Sequence, residues 1–337
     1  MNRRPSTVTS DLMAVDRATG DLARIREEIG KVIIGQRNVI ESVLVCMVAG
    51  GHVLLEGVPG LGKTTLVRTL ARVLHLRYSR IQFTPDLMPG DIVGSMLIET
   101  DEHGHKAFRF QQGPVFANIV LADEINRATP KTQSALLEAM QERTVTNGTH
   151  TYPLDSPFLV MATQNPIEME GTYPLPEAQL DRFLMKVLVT YPSREELEQI
   201  VELTTSQDDV EVEQIMDGEQ IADLKAFCKQ VIVAPHVREF AIDLVMSTQP
   251  GSSKASPLAN KYVRYGSSPR GAQALIECGR VLAVMQNRVH LSIEDLRTVA
   301  PAVLRHRIIL NFDAHADGQT VETLMEALLG EMDSSRF

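Results

Sequence analysis

Short apolar runs alternate with helical patterns along the first half of the chain. Four continuous apolar runs predict buried strands, at 53–55, 119–121, 158–161 and 183–189. Between them, apolar residues recur every three or four positions, as over 39–48 and 66–74, which predicts helices. Buried strands that alternate with helices are typical of a parallel sheet covered on both faces. We therefore predict an α/β fold for this half.

The pattern changes near residue 190. Ser193 and Glu196 have the spacing of a capping box, which predicts the start of a helix, and the helical patterns that follow predict a smaller, all-helical second domain. We place the α/β domain at 18–190 and the helical domain at 191–337. Residues 1–17 are rich in Ser and Thr and lack periodicity, so we expect a flexible tail there.

Composition narrows the class of protein. A length of 337 residues fits two domains, since a domain usually has roughly 150 residues. The formal net charge of −10 argues against non-specific binding to nucleic acid. Three cysteines without CxxC spacing fit a reducing compartment. No apolar run approaches the roughly 18 residues of a membrane span, so we expect a cytoplasmic protein without one.

One segment carries a phosphate-binding pattern. It follows a predicted strand, opens a predicted helix and reads Gly57, Val58, Pro59, Gly60, Leu61, Gly62, Lys63, Thr64, with Thr65 next. This satisfies GxxxxGK[ST], in which backbone N–H groups surround the phosphates, Lys63 contacts the β- and γ-phosphates, and the Thr64 hydroxyl ligates Mg²⁺. A glycine-rich turn without a ligand is the alternative, and the strand and helix on either side argue against it. The pattern predicts ATP or ADP with Mg²⁺.

An acidic pair ends the next apolar run. Asp123 follows strand residues 119–121 at the position that holds Mg²⁺ in phosphate-loop enzymes. Glu124 is suited to orient a water against the γ-phosphate, which favours hydrolysis. Acidic pairs at strand ends also occur as solvent-facing groups, but the phosphate loop makes that alternative weak here.

Three further residues have a functional and a structural interpretation. Asn165 ends another predicted strand and could share the attacking water with Glu124, although Asn before Pro is also common in turns. Arg182 could be an arginine finger or a surface partner of Asp181. Arg270 follows a predicted helix start, where its charge opposes the helix dipole unless an anion lies in front of it; otherwise it faces solvent.

Together these residues resemble the AAA+ ATPases, and within them the MoxR family. The resemblance covers the chain after residue 17. Its most specific segments are the phosphate loop, 82–91 (QFTPDLMPGD), 121–128 (LADEINRA), 162–166 (ATQNP) and 180–183 (LDRF).

The resemblance implies a role for each of these residues. Lys63 and Thr64 correspond to Walker A, Asp123 and Glu124 to Walker B. Asn165 corresponds to sensor 1, Arg182 to the finger that contacts a neighbouring subunit's ATP, and Arg270 to sensor 2 in the helical lid. The residues beside the adenine ring would be Ile33, Ile34 and Gly35.

The family also implies an assembly and a cellular role. Residues of about 91–113 would be the helix-2 insert, and about 144–153 a hairpin before sensor 1, which the turn residues Asn147 and Gly148 also predict. The resemblance implies a homo-oligomer, as a hexameric ring, that remodels protein clients, often ones with von Willebrand factor A domains.

Two other functions remain open on the sequence. The first is a helicase-like nucleic-acid motor, which the net charge disfavours. The second is a nucleotide-gated scaffold. Residues 84–114 lack the aromatic–hydrophobic–glycine tripeptide of threading unfoldases, with Ile92-Val93-Gly94 the nearest match, which argues against threading.

Overall fold

The computed structural model describes residues 5–100, 106–166, 171–205 and 210–334. The helices are α1 Pro5–Gly30, α2 Arg37–Ala49, α3 Lys63–Val73, α4 Pro89–Val93, α5 Pro130–Glu142, α6 Glu177–Leu180, α7 Arg194–Thr205, α8 Gly218–Cys228, α9 Pro235–Ser247, α10 Pro257–Tyr262, α11 Pro269–Met285, α12 Ile293–Leu304, α13 Phe312–Ala316 and α14 Val321–Ser334. The strands are β1 Val53–Glu56, β2 Tyr78–Gln82, β3 Gly94–Thr100, β4 Lys106–Gln112, β5 Ile119–Asp123, β6 Thr144–Asn147, β7 His150–Pro153, β8 Leu159–Gln164, β9 Met185–Leu188, β10 Val263–Tyr265 and β11 Ile309–Leu310. Across the described helices, none has the length and apolar character to cross a membrane.

Five parallel strands form the central sheet, in the order β2-β5-β8-β1-β9. The four strands predicted from apolar runs are all present. Strand β2 was not predicted, because it lies at the edge of the sheet and only Ile81 of its five residues is buried. In register, Gln82 lies beside Asp123, and Glu56 beside Gln164, so the carboxyl ends of the strands meet at one edge.

Side chains alternate between two buried faces of the sheet. Val53 and Leu55 pack into the cluster that contains Leu66 of α3, whereas Leu54 packs into the cluster that contains Leu137 of α5. Both faces are covered, as an all-parallel sheet requires. This confirms the predicted α/β fold.

The chain beyond the sheet is mainly helical, as predicted. The Ser193 N–H donates to Glu196 Oε2 at 2.8 Å, and the Glu196 N–H donates to Ser193 Oγ at 3.2 Å, which is the predicted capping box. Strands β10 and β11 add a two-stranded antiparallel ribbon that the sequence pattern did not predict. With three and two residues, they are too short to show a periodicity.

The expected flexible tail over 1–17 is wrong from Pro5 onward, because α1 begins there; residues 1–4 lie outside the described residues. Val15, Leu22, Ile25 and Ile29 form a buried stripe at helical spacing. The Thr19 hydroxyl donates to the carbonyl of Val284 in α11 at 2.6 Å. Packing against other helices therefore overrides the low apolar content of this segment.

Two β-hairpins project from the sheet domain. Over the range predicted for the insert, α4 is followed by β3 and β4, and residues 101–105 lie outside the described residues. The hairpin predicted around Asn147 is formed by β6 and β7. The Phe110 ring of the first hairpin stacks on the Tyr152 ring of the second, with centroids 4.3 Å apart and planes inclined by 16°. Ile98 and Phe108 are cross-strand partners, 59% and 73% exposed.

Candidate functional site

The phosphate-loop segment connects β1 to α3 in a conformation that requires glycine. Gly60 and Gly62 have φ angles of +83° and +73°, in the left-handed region that other residues rarely adopt. Gly57 lies against the residue that follows strand β9: a Cβ at this position would be 2.6 Å from the carbonyl oxygen of Val189. The loop thus precedes a helix N-terminus, the arrangement that binds phosphate groups through backbone N–H donors.

A cleft of about 430 Å³ opens above this loop. It is lined by Gly57, Pro59, Gly60, Leu61, Gly62, Lys63, Thr64, Thr65, Arg80, Gln82, Asp123, Glu124, Thr163, Gln164 and Asn165. The structure therefore brings together most of the predicted phosphate, magnesium and catalytic residues. They come from the ends of β1, β5 and β8, which are neighbours in the sheet.

Lys63 lies at the first position of α3, and its side chain bends back over the loop. Its Nζ donates to the Gly57 carbonyl oxygen at 2.6 Å. Burial lowers the pKa of Lys63, and the nearby carboxylates of Asp123 and Glu124 oppose that shift. Burial and the two carboxylates therefore act in opposite directions on the pKa of this ammonium group, and burial has the larger effect.

Asp123 is held from two sides. The Thr163 hydroxyl donates to Oδ1 at 2.7 Å, and Arg80 Nη2 donates to Oδ2 at 2.6 Å. Mg²⁺ is usually bound by one or two carboxylates together with phosphate oxygens. The Asp123 carboxylate and the Thr64 hydroxyl line the same cleft as the phosphate loop, so the donor set fits a magnesium–nucleotide complex.

Glu124 has a left-handed backbone, with φ +57° and ψ +51°. Its N–H donates to the Thr163 hydroxyl oxygen at 2.8 Å, which fixes this conformation. Its Oε2 accepts from Gln82 Nε2 at 3.0 Å and from Arg127 Nη1 at 2.9 Å. Asn165 is 8% exposed and lines the same cleft.

The residues expected beside adenine lie in a cavity of about 480 Å³, which is lined by Ile33, Ile34, Gly35, Arg26, Arg37 and Gln199, among others. Gln36 Nε2 donates to the Leu61 carbonyl oxygen at 3.0 Å and so connects this segment to the phosphate loop. The two binding regions are therefore neighbours. The partly buried side chain of Val58 packs against the larger hydrophobic core.

The two predicted arginines lie together in another cavity of about 250 Å³, whose lining does not include Lys63. Arg182 Nη1 donates to the Leu137 carbonyl oxygen at 2.7 Å. Arg270 Nη1 lies 3.6 Å from Asp181 Oδ2. Asp181 thus forms ion pairs with Arg270 and Arg307, and not with Arg182, which was one of the two alternatives for that arginine.

Several residues of the site have contacts that the sequence did not predict. Arg80 and Gln82 belong to the unpredicted edge strand β2. Thr163 and Arg127 lie inside predicted motifs but have no role there that the sequence suggests. Arg307 follows α12, more than 120 positions from the Asp181 carboxylate that it contacts. Only the folded chain shows these contacts.

Family models match two parts of the chain. Residues 52–185 match the ATPase family associated with various cellular activities (AAA), and residues 256–328 match the AAA lid domain. The first range contains the cleft residues from Gly57 to Asn165, and the second contains Arg270.

Curated relatives span nearly the whole chain. Chaperone MoxR1 of Mycobacterium tuberculosis is 44% identical over 308 residues, which is 91% of this chain and 81% of the relative. Protein MoxR of Methylorubrum extorquens is 32% identical over 304 residues, 86% of this chain and 87% of the relative. A crystal structure of a candidate ATPase from Cytophaga hutchinsonii superposes with a TM-score of 0.88 at 40% identity, covering 96% of this chain and 97% of that one.

Proposed function

Because this chain belongs to the MoxR family of AAA+ ATPases, we propose that it hydrolyses ATP with Mg²⁺, as a ring that acts on partner proteins. One observation carries the proposal. Lys63, Asp123, Glu124 and Asn165 line one cleft at the carboxyl edge of the sheet, although they are spread over about 100 positions of sequence.

Each group has a chemical task in this proposal. The loop N–H groups and Lys63 bind the phosphates, and Thr64 with Asp123 holds Mg²⁺, which supplies positive charge to the phosphate oxygens. Glu124 accepts the proton of the attacking water. Asn165, which can donate and accept, orients that water beside Glu124.

The position of the two arginines supports the proposed ring. Arg182 and Arg270 share a cavity that does not include the phosphate loop. A guanidinium that stabilises a γ-phosphate must lie close to it, so we assign both arginines to the nucleotide of a neighbouring subunit. Six subunits are the ring size that the family favours.

We propose that the ring acts on partner proteins. The exposed apolar pair Ile98–Phe108 offers a surface for a protein client, in which a von Willebrand factor A domain is one candidate. The mycobacterial relative is named a chaperone. The net charge of −10 remains against a nucleic-acid motor. The alternative is a scaffold in which hydrolysis only resets the ring. Glu124→Gln should trap bound ATP, so full activity of this variant in the cell would support the scaffold and count against the motor.

Two further parts of the proposal concern organisation. We propose 18–190 and 191–337 as the limits of the nucleotide-binding and lid domains, which fits the matched ranges 52–185 and 256–328. We also propose a cytoplasmic location. Cys46, Cys228 and Cys278 are free and buried, as expected in a reducing compartment.

The experiment is ATPase rate against protein concentration for the wild type, Arg182→Ala, Glu124→Gln and an equal mixture of the two variants. A shared site predicts that specific activity rises with concentration. It also predicts that each variant alone is inactive, while the mixture recovers activity, because a Glu124→Gln subunit supplies Arg182 to its neighbour. Flat specific activity together with normal turnover of Arg182→Ala would contradict the shared site.

A further inference from the structure

Four basic residues lie together on α3 and on the turn that follows it. Arg68 and Arg72 are four positions apart in α3, so they lie on one face of the helix. His75 and Arg77 belong to the turn between α3 and β2. All four are exposed, and they line one cavity of about 570 Å³. In a chain with a net charge of −10, this is a local concentration of positive charge.

The rest of the cavity lining is uncharged and consists of Ala71, Leu76, Tyr78, Val212 and Gln214. Burial raises the pKa of Tyr78, and the nearby guanidinium groups of Arg68 and Arg80 oppose that shift. The Tyr78 hydroxyl oxygen is buried and has no hydrogen-bond partner among the described residues. Buried polar groups in folded proteins nearly always have a partner. A hydrogen-bond acceptor bound in this cavity would supply one.

The local structure accounts for only part of the positive charge. Within the described residues, Asp155 forms an ion pair with Arg77, and both side chains are more than half exposed. Arg72 lies in the last turn of α3, where the helix dipole favours a cation. Neither reason applies to Arg68, which lies in the middle of the helix. An anion in the cavity would reduce the repulsion among the cations that line it.

His75 has a backbone conformation that glycine adopts more easily. Its φ angle is +48°, in the left-handed region. The Leu76 N–H donates to the Ala71 carbonyl oxygen at 2.9 Å, which closes the end of α3 around this residue. Glycine is the usual residue at such a helix end, because it has no Cβ. The chain therefore keeps an imidazole at this cavity in spite of an unfavourable backbone conformation.

We propose that this cavity, the α3 cation site, binds a small molecule that carries two or more linked phosphate groups. The planar guanidinium groups of Arg68 and Arg72 can each donate two parallel hydrogen bonds to phosphate oxygens. The volume of the cavity is in the range of small-molecule sites. Its lining shares no residue with the cleft above the phosphate loop, so this is a second phosphate site that does not depend on ATP hydrolysis. Free polyphosphate and the phosphate chain of a nucleotide share the required chemistry.

The first test measures the binding of inorganic tripolyphosphate by isothermal titration calorimetry. It uses the Lys63→Ala variant, in which the phosphate loop contributes little, and we expect saturable binding. Adding Arg68→Gln and Arg72→Gln should raise the Kd at least about tenfold, because both remove charge-assisted hydrogen bonds. The matched control adds Arg194→Gln and Arg238→Gln, which remove the same charge from exposed arginines outside the cavity, and it should leave the Kd unchanged.

The same titration with ATP distinguishes the two sources of the phosphate chain. Tighter binding of ATP than of tripolyphosphate to the Lys63→Ala variant identifies a nucleotide as the ligand of the α3 cation site. Equal or weaker binding of ATP identifies free polyphosphate. In both cases the binding should be lost with Arg68→Gln and Arg72→Gln.

The second test uses the conformation of His75. Adding His75→Gly should raise the urea concentration at which the protein unfolds and should also weaken tripolyphosphate binding, whereas a purely structural role predicts no change in binding. The proposal is overturned if Lys63→Ala shows no saturable binding, if the control pair weakens binding as much as the Arg68 and Arg72 pair, or if His75→Gly leaves the Kd unchanged. Tighter binding of a hexaglutamate peptide than of tripolyphosphate would also overturn it, since the cavity would then be a surface for acidic protein segments.

Discussion

Arg307 donates from Nε to Asp181 Oδ1 across 2.8 Å, and this pair joins the end of α12 to the turn before β9. The Arg307 side chain is 3% exposed, and burial lowers the pKa of its guanidinium while the Asp181 carboxylate raises it. Asp181 also accepts from Ser268 Oγ at 3.2 Å and lies 3.6 Å from Arg270. One carboxylate thus holds the start of α11 and the end of α12 to the sheet.

Asp181→Asn is expected to destabilise the protein. The substitution leaves a buried guanidinium without its charged partner, which typically costs about 3 kcal/mol or more. Urea unfolding measures the loss, with Asp243→Asn as control, because Asp243 pairs with Lys254 at the surface. A loss of less than about 1 kcal/mol, as for a surface pair, would show that Arg307 keeps its stabilisation from backbone carbonyls alone.

Lys63→Ala should weaken nucleotide binding. A hydrogen bond to a charged group contributes roughly 1.5–3 kcal/mol, so the Kd for ATP should rise about 10- to 100-fold. Fluorescence titration of labelled ATP provides the measurement, with the exposed Lys229→Ala as control. An unchanged Kd would remove Lys63 from the phosphate site.

Glu124→Gln should separate binding from turnover. The amide keeps the size of the side chain but cannot take a proton from water, so kcat should fall about 10²- to 10⁴-fold. ATP should remain bound, which filter binding in single-turnover conditions detects. Substantial turnover with bound ATP would place the catalytic base elsewhere.

Arg270→Ala should reduce turnover only in the assembled protein. Its guanidinium lies outside the cleft of its own chain, so ATP affinity at high dilution should match that of the wild type. At concentrations that support the ring, the ATPase rate should fall at least about tenfold, since such an arginine stabilises transition-state charge. Arg194→Ala serves as control. Weaker binding at high dilution would instead place Arg270 at the nucleotide of its own subunit.

His52→Gln should make stability less sensitive to acid. His52 Nδ1 accepts from the Val160 N–H at 3.0 Å, Nε2 lies 3.1 Å from the Met140 carbonyl oxygen, and burial lowers the pKa to about 3. The unfolded chain therefore takes up a proton on this histidine near pH 6.5, whereas the folded chain does not. The contribution of His52 to stability is complete above that pH and is lost as the pH falls toward 3.

Because of this histidine, the free energy of unfolding of the wild type should fall by about 2 kcal/mol between pH 7 and pH 5. Glutamine can make both hydrogen bonds without titrating, so His52→Gln should lose correspondingly less stability over that interval. Urea unfolding at the two pH values measures the difference, with His236→Gln as an exposed control. Equal losses in the wild type and the variant would mean that His52 becomes protonated in the folded state.

Sequence patterns predicted the positions of candidate residues where those residues lie in one short segment. The phosphate loop and the Asp123–Glu124 pair each lie in one short segment, with a strand pattern beside it. Strand β2 was missed because Tyr78–Gln82 lies at the edge of the sheet, where only Ile81 is buried, and has neither an apolar run nor a regular alternation. The side chains of Arg80 and Gln82 therefore had no predicted position from which a role could follow.

Sequence patterns also do not predict contacts between segments that are distant in the chain. The pair of Asp181 with Arg307 and the placement of Arg270 beside Arg182 depend on how α11 and α12 pack on the sheet. Nothing in the local pattern of either helix encodes that contact. The same holds for α1, which is stabilised by packing against α11 and not by its own composition.

The stacked rings of Phe110 and Tyr152 connect the β3–β4 hairpin to the β6–β7 hairpin, although the two hairpins lie in different parts of the sequence. The β6–β7 hairpin continues α5, which follows the turn of Glu124, and leads into β8, which ends one residue before Asn165. Because the two rings are in contact, we expect a displacement of one hairpin to displace the other, and with it the exposed Ile98–Phe108 pair.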